Sequence, residues 1–147
     1  MAKSYVPHMH TAEHILNGTM VSMFGCDRCY SAHINTKKSK CDYTFDRPLT
    51  DLEAVALQSA VNDQLKRNLD VQEEILPIEE AQKRFNLSRL PSDDITTIRI
   101  VHIGDYDSCP CIGEHVSNTS EIGEFIINSY DYEDGRLRIR FKCKPAE

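Results

Sequence analysis

His10-Thr11-Ala12-Glu13-His14, near the start of the chain, and Cys109-Pro110-Cys111-Ile112-Gly113-Glu114-His115-Val116-Ser117-Asn118-Thr119, about a hundred residues later, are the stretches from which the rest is read. Each carries a pair of metal-ligating side chains spaced i, i+4. On a helix four residues turn through about 400°, so His10 and His14 project from one face, a turn apart. The second stretch is too rich in turn formers and polar groups for a core strand. Gly113, between two ligand-type side chains, lets the backbone curl around an ion. His10, His14, Cys111 and His115 together give three nitrogens and one sulfur, the tetrahedral set that Zn2+ prefers. Taken singly, each pair has a plainer reading, as the polar flank of a helix or a small buried thiol beside a histidine.

The flanking pattern predicts the frame around these stretches. Met9, Ala12, Leu16, Met20 and Met23 recur at helical spacing and stop at Gly25, which predicts an amphipathic helix with its apolar stripe inward. Residues 30–35 and 41–46 read as a hairpin turning through Lys37-Lys38-Ser39-Lys40. Thr50-x-x-Glu53 is a capping box that opens a long helix, with Leu52, Val55, Val61, Leu65 and Leu69 expected inward. A strand over 71–76 follows, then a short helix from Pro77 to about Phe85 and a surface connection over 87–94. Residues 95–103 read as a central strand, and the ligand loop comes after Tyr106. Residues 122–132 and 136–143 form a hairpin turned at Asp134-Gly135. This order predicts one α+β domain over residues 1–147, with helices packed on an antiparallel sheet in two layers.

A chain of 147 residues is the size of one domain and buries about two-thirds of its unfolded surface. No stretch approaches the ~20 apolar residues of a membrane span and no signal-peptide pattern opens the chain, so the expected compartment is the cytoplasm. In that setting the six cysteines read as reduced thiols or metal ligands rather than disulfides. Cys26-x-x-Cys29 lacks the second CxxC of a zinc ribbon and reads as ordinary thiols. Cys109 rivals Cys111 as a ligand. The net charge of −6 argues against a protein that wraps nucleic acid. Arg136, Arg138, Arg140 and Lys142 nevertheless alternate with apolar residues and share one strand face. That stripe is either a solvated sheet face or an RNA contact.

The segment His10-Thr11-Ala12-Glu13-His14-Ile15-Leu16 resembles the HTAxHLL opening of the alanyl-tRNA synthetase editing domain. Cys111-x-Gly113-x-His115-Val116-x-Asn118-Thr119-x-Glu121-Ile122-Gly123 resembles its CGGTHVxNTxEIG segment. Over residues 8–141 the chain is similar to AlaX-type freestanding editing proteins, and also to the threonyl-tRNA synthetase editing domain. The resemblance implies the editing-domain fold, a zinc ion on His10, His14, Cys111 and His115, and tRNA as partner. It also implies a pocket at the zinc where the ester joining an amino acid to the tRNA 3′ end is hydrolysed. The expected substrate, acted on in trans, is alanine tRNA mischarged with serine or glycine. This sequence departs from the pattern at Ile112, where the family has Gly, and at Glu114, where it has Thr. The family's Gln-x-Gly-Ser is missing, and Arg28-Cys29-Tyr30-Ser31 stands in its neighbourhood.

Glu114, wedged between Gly113 and a ligand, is the first candidate proton acceptor, with His33 and Glu13 behind it. Ser31, Thr119 and Gly113 are candidates for substrate contact, although hydroxyls in turns usually bond nearby backbone. Two rival readings remain. His10-x-x-Glu13-His14 also fits the HxxEH helix of inverted zinc peptidases, but that leaves Cys111 and His115 unexplained. A non-catalytic zinc module that binds tRNA or a protein partner keeps all four ligands.

Overall fold

The computed structural model describes residues 7–35, 38–84, 96–111 and 115–144. The predicted connection over 87–94 lies outside them. The first helix, α1 (Pro7–Phe24), buries Met9, Ala12, Ile15, Leu16 and Met20 completely. It ends on Gly25, whose φ of +68° lets its N–H reach back to the Val21 carbonyl at 3.0 Å, the usual left-handed stop. Met23, expected in the stripe, is 40% exposed, while its neighbour Phe24 packs against the core and the Phe45 ring.

The second helix, α2 (Asp51–Leu65), opens with the expected capping box: Thr50 accepts from the Glu53 N–H, and Glu53 reaches back to Thr50. Its inner face is Ala54, Leu57, Val61 and Leu65. Leu52 and Val55, expected inward, are 83% and 68% exposed. At 100° per residue Val55 lies about 120° around the helix from Val61, so the two cannot share a narrow stripe.

The strands form two antiparallel sheets. The larger runs β1 (Ser31–His33), β2 (Ser39–Thr44), β7 (Arg136–Lys144) and β6 (Glu124–Glu133), in that spatial order. The smaller runs β3 (Val71–Pro77), β4 (Thr97–Ile103) and β5 (Asp107–Pro110), with α3 (Ile78–Arg84) joined to the end of β3. The α+β reading holds, with the sheet divided in two. Along β7, Leu137, Ile139 and Phe141 are fully buried and the alternating Arg side chains are not. The β6–β7 turn takes positive φ at Asp134 (48°) and Gly135 (83°), as a two-residue hairpin turn requires. On the edge strand β6, Asn62 of α2 bonds both the N–H and the carbonyl of Phe125, at 2.8 and 2.9 Å. Gln58 accepts the Ile127 N–H at 2.8 Å. These amides cover an edge that would otherwise offer open backbone groups.

One apolar core joins α1, α2, the inner face of the larger sheet and Val101 and Ile103 of β4. A small second cluster, Leu76, Ala81, Ile98 and Ile100, lies between α3 and the β3–β4 pair. Packing of α1 against both sheets brings its His10–His14 face toward the end of β5.

Candidate metal centre

Helix α1 presents His10 and His14 one turn apart, as their spacing requires. The partner stretch is a strand where sequence alone read a loop. Asp107–Pro110 pairs with β4, with Cys109 opposite Val101. The β4–β5 turn is made at Gly104, where a Cβ would meet the Leu69 side chain at 2.8 Å. Cys111 follows directly, fixed on both sides by Arg99: its N–H donates to the Arg99 carbonyl at 3.1 Å, and its carbonyl accepts Arg99 Nε at 2.9 Å. Ile112, Gly113 and Glu114 lie outside the described residues, and with them the Gly113 and Glu114 expectations. Beyond His115, the Val116 N–H donates to Thr11 Oγ1 at 3.1 Å, which ties the second motif to the first.

The four expected ligands meet. One donor atom each from His10, His14, Cys111 and His115 lies within 4.8 Å of the others. The imidazole centroids are 5.2 Å (His10–His14), 4.5 Å (His10–His115) and 4.7 Å (His14–His115) apart. Cys111 Sγ is 3.5 Å from His10 Nε2. With Zn–N near 2.05 Å and Zn–S near 2.3 Å, tetrahedral geometry sets neighbouring donors about 3.4–3.6 Å apart, so the cluster is close to the size the ion needs. Both ring nitrogens of His115 are buried with no hydrogen-bond partner among the described residues. An unsatisfied buried polar group costs about 1–3 kcal/mol, and a cation at the cluster centre removes that cost. The residues fit a zinc ion.

The electrostatics agree. Burial favours the neutral Cys111 thiol, but His10, His115 and His14 together pull its pKa down to about 3, so it is a thiolate and ready to ligate. Burial lowers the His115 pKa, helped by His14 and His10, which outweigh the opposing pull of Cys111. For His14, burial is overcome by Asp107, Cys109 and Cys111, and its pKa stands well above the ordinary value. His14 Nδ1 is 2.8 Å from Cys109 Sγ and 3.7 Å from Asp107 Oδ2, which leaves Nε2 for an ion. Asp107 in turn accepts both Nη atoms of Arg28, at 2.7 and 3.1 Å. Cys109, the rival ligand, sits on the Nδ1 side of His14 and, with His14 and Asp107, forms a buried group that shares His14 with the first and could itself hold an ion. Asp107 and Arg28 were missed in sequence. A carboxylate four residues before the ligand cysteine was the only available signal.

The remaining candidates lie elsewhere. Ser31 and His33 are on β1, whose side chains are exposed. Thr119 is fully buried: its hydroxyl accepts the Leu69 N–H at 2.9 Å and donates to the Leu65 carbonyl at 3.0 Å. It holds the end of α2 to the second motif. Glu13 faces His10, with Oε1 3.5 Å from Nε2. The basic stripe is largely paired: Arg138 with Asp42 at 2.7 Å, Arg140 with Asp131 at 2.6 Å, Arg136 with Asp131 and Glu133 at 3.7 Å.

The family described as threonyl and alanyl tRNA synthetase second additional domain matches residues 98–140, the span from β4 through the second ligand pair to β7. Alanine–tRNA ligases match over nearly the whole chain, α1 included. The enzyme of Treponema denticola is 28% identical over 130 residues, 88% of this chain and 22% of the ligase. That of Leptospira borgpetersenii is 30% identical over 139 residues, covering 93% and 15%. That of Staphylothermus marinus is 32% identical over 137 residues, covering 90% and 15%. The chain resembles the alanyl-tRNA synthetase editing domain. This editing-domain-like chain spans between 15% and 22% of the length of these curated relatives. Among the described residues no helix is long and apolar enough to cross a membrane.

Proposed function

We propose that this chain is a zinc-dependent aminoacyl-tRNA deacylase of the cytoplasm, acting in trans on mischarged tRNA. The leading substrate is alanine tRNA carrying serine or glycine. The observation that supports it most is the joining of two distant half-motifs into one four-donor cluster in which the His115 ring nitrogens have no hydrogen-bond partner among the described residues. His10, His14, Cys111 and His115 would hold the ion. When bound, zinc supplies Lewis-acid stabilisation of charge developing on the ester, or fixes the substrate amino group, or acidifies a water.

The protein's own groups do the rest. Asp107 and Cys109 orient His14 through Nδ1. Arg99 fixes the Cys111 backbone, and Thr11 binds the segment after His115 to α1. Glu114, next to His115 in sequence, is the proposed proton acceptor, with His33 the second candidate and Ser31 and Gly113 the proposed substrate contacts. Hydrolysis by zinc-loaded protein, screened on alanine tRNA bearing serine or glycine and threonine tRNA bearing serine, tests the reading. Release of one of these amino acids, lost on chelation and in Cys111→Ala, is expected. A zinc-loaded sample that leaves every mischarged tRNA intact refutes it, and a non-catalytic zinc module becomes the better account.

A further inference from the structure

The Cys26-x-x-Cys29 motif takes no part in the first cluster, and its two cysteines part company in the fold. The Cys26 thiol points to the Met20 carbonyl at 3.7 Å. Cys29 turns instead toward Cys41 of β2 and Glu13 of α1. We propose that Glu13, Cys29 and Cys41 form a second binding site for a borderline-soft divalent cation such as Zn2+, set beside the first.

The three donor atoms lie within 4.8 Å of one another. Cys29 Sγ is 3.4 Å from Glu13 Oε2, close to the separation of about 3.6 Å that a sulfur and an oxygen take on one tetrahedral zinc. Cys29 is 3% exposed and Cys41 is fully buried, so an ion held there is shielded from competing water. Two sulfurs exclude Mg2+ and Ca2+, which take oxygen ligands.

The donors come from three separate elements, and the backbone fixes them. Asn17 Oδ1 accepts both the Cys29 N–H at 3.2 Å and the Tyr43 hydroxyl at 2.7 Å, clamping Cys29 and β2 against α1. Glu13 links the two clusters, with Oε1 toward His10 at 3.5 Å and Oε2 toward Cys29. Their charges are complementary. A divalent ion on three neutral imidazoles and one thiolate leaves the first centre net positive, whereas two thiolates and a carboxylate leave the second net negative. Neighbouring centres of opposite sign stabilise one another where water is excluded. Binding at the second site releases the two thiol protons to solvent.

The test uses the full chain, reduced, stripped by a chelator and reloaded with zinc, then with cobalt. Elemental analysis should find about two equivalents in the parent, and about one in Cys29→Ser and in Cys111→Ala. The cobalt sulfur-to-metal charge-transfer band should fall in Cys29→Ser by more than in Cys111→Ala, since one site has two thiolates and the other one. Because Cys41 is wholly buried, Cys29→Ser is the primary variant, with folding checked by circular dichroism. A variant-free readout is thiol alkylation of the parent, which zinc should slow at Cys29 and Cys41. About one equivalent in the parent, with a cobalt band unchanged by Cys29→Ser and alkylation at Cys29 and Cys41 indifferent to zinc, overturns the proposal. The first site stands or falls separately through Cys111→Ala.

Discussion

Replacing Asp107 by asparagine probes how far the metal centre depends on what stands behind it. The Asp107 side chain is 6% exposed, and one oxygen lies 3.7 Å from His14 Nδ1. Both oxygens accept from Arg28. Burial by itself would raise the Asp107 pKa, but His14 and Arg28 hold it below the usual carboxylate range, so it is ionised at neutral pH. Asparagine keeps the shape and one acceptor oxygen. It removes the negative charge 3.7 Å from His14 Nδ1 and leaves Arg28 without its counter-ion. Removing the carboxylate behind a ligating histidine lowers metal affinity about 10–100-fold, or about 1.4–2.7 kcal/mol. Breaking a fully buried ion pair costs about 3–5 kcal/mol, but Arg28 is 33% exposed and solvent screening reduces that to about 1–2 kcal/mol. Zinc affinity by competition with a chromophoric chelator, and melting with and without zinc, separate the two effects. Zinc affinity equal to the parent's, with only a lower melting temperature, would show Asp107 to be a partner of Arg28 alone and refute the reasoning.

Thr119→Val should destabilise the protein by about 1–3 kcal/mol, since it strands the Leu69 N–H while the Leu65 carbonyl keeps the Asn68 N–H, and should leave zinc stoichiometry unchanged. An unchanged urea midpoint with lost deacylation would return Thr119 to substrate contact. Stability should fall at alkaline pH. Burial raises the Cys143 pKa to about 12, so above about pH 8.5–9 the unfolded chain releases a proton that the folded chain keeps. The resulting loss is about 1.5–2 kcal/mol by pH 10. Cys41, raised by Cys29 and burial, and Tyr43, raised first by burial, act in the same direction. Urea midpoints at pH 7 and 10 measure the slope, which Cys143→Ala should reduce. Because Arg138 and Arg140 are paired with carboxylates, Arg138→Glu with Arg140→Glu should leave tRNA affinity and its salt dependence unchanged. A weaker, flatter salt response would assign the stripe to RNA.

The features legible in sequence were those set by local rules. The two candidate ligand pairs, the α2 capping box and the Asp134-Gly135 hairpin each follow from spacing or backbone preference within a few residues. What escaped depends on distant partners. Cys109 looked like part of a loop because Pro110 and Gly113 are turn formers, yet pairing with Val101 makes the segment a strand. Leu52 and Val55 are apolar, but tertiary packing chose the Ala54–Leu57–Val61–Leu65 face. Thr119 was read for its hydroxyl chemistry, whereas the fold uses it to satisfy backbone. The approach of Cys29 to Cys41 rather than Cys26 is set by β1–β2 pairing and by Asn17, neither of which spacing reveals.

The distance in sequence between the two halves of the metal centre also orders events during synthesis. His10 and His14 leave the ribosome about a hundred residues before Cys111 and His115, an interval of roughly 5–20 s at ordinary elongation rates. Through that time the nascent α1 offers a bare pair of imidazoles, whose intrinsic preference among divalent ions runs toward Cu2+ and Ni2+ rather than Zn2+. Arrival of the Cys111 thiolate would add a soft donor and, with His115, complete the proposed tetrahedral set. On the proposed zinc reading, selection of the ion is deferred until the second half of the chain has been made.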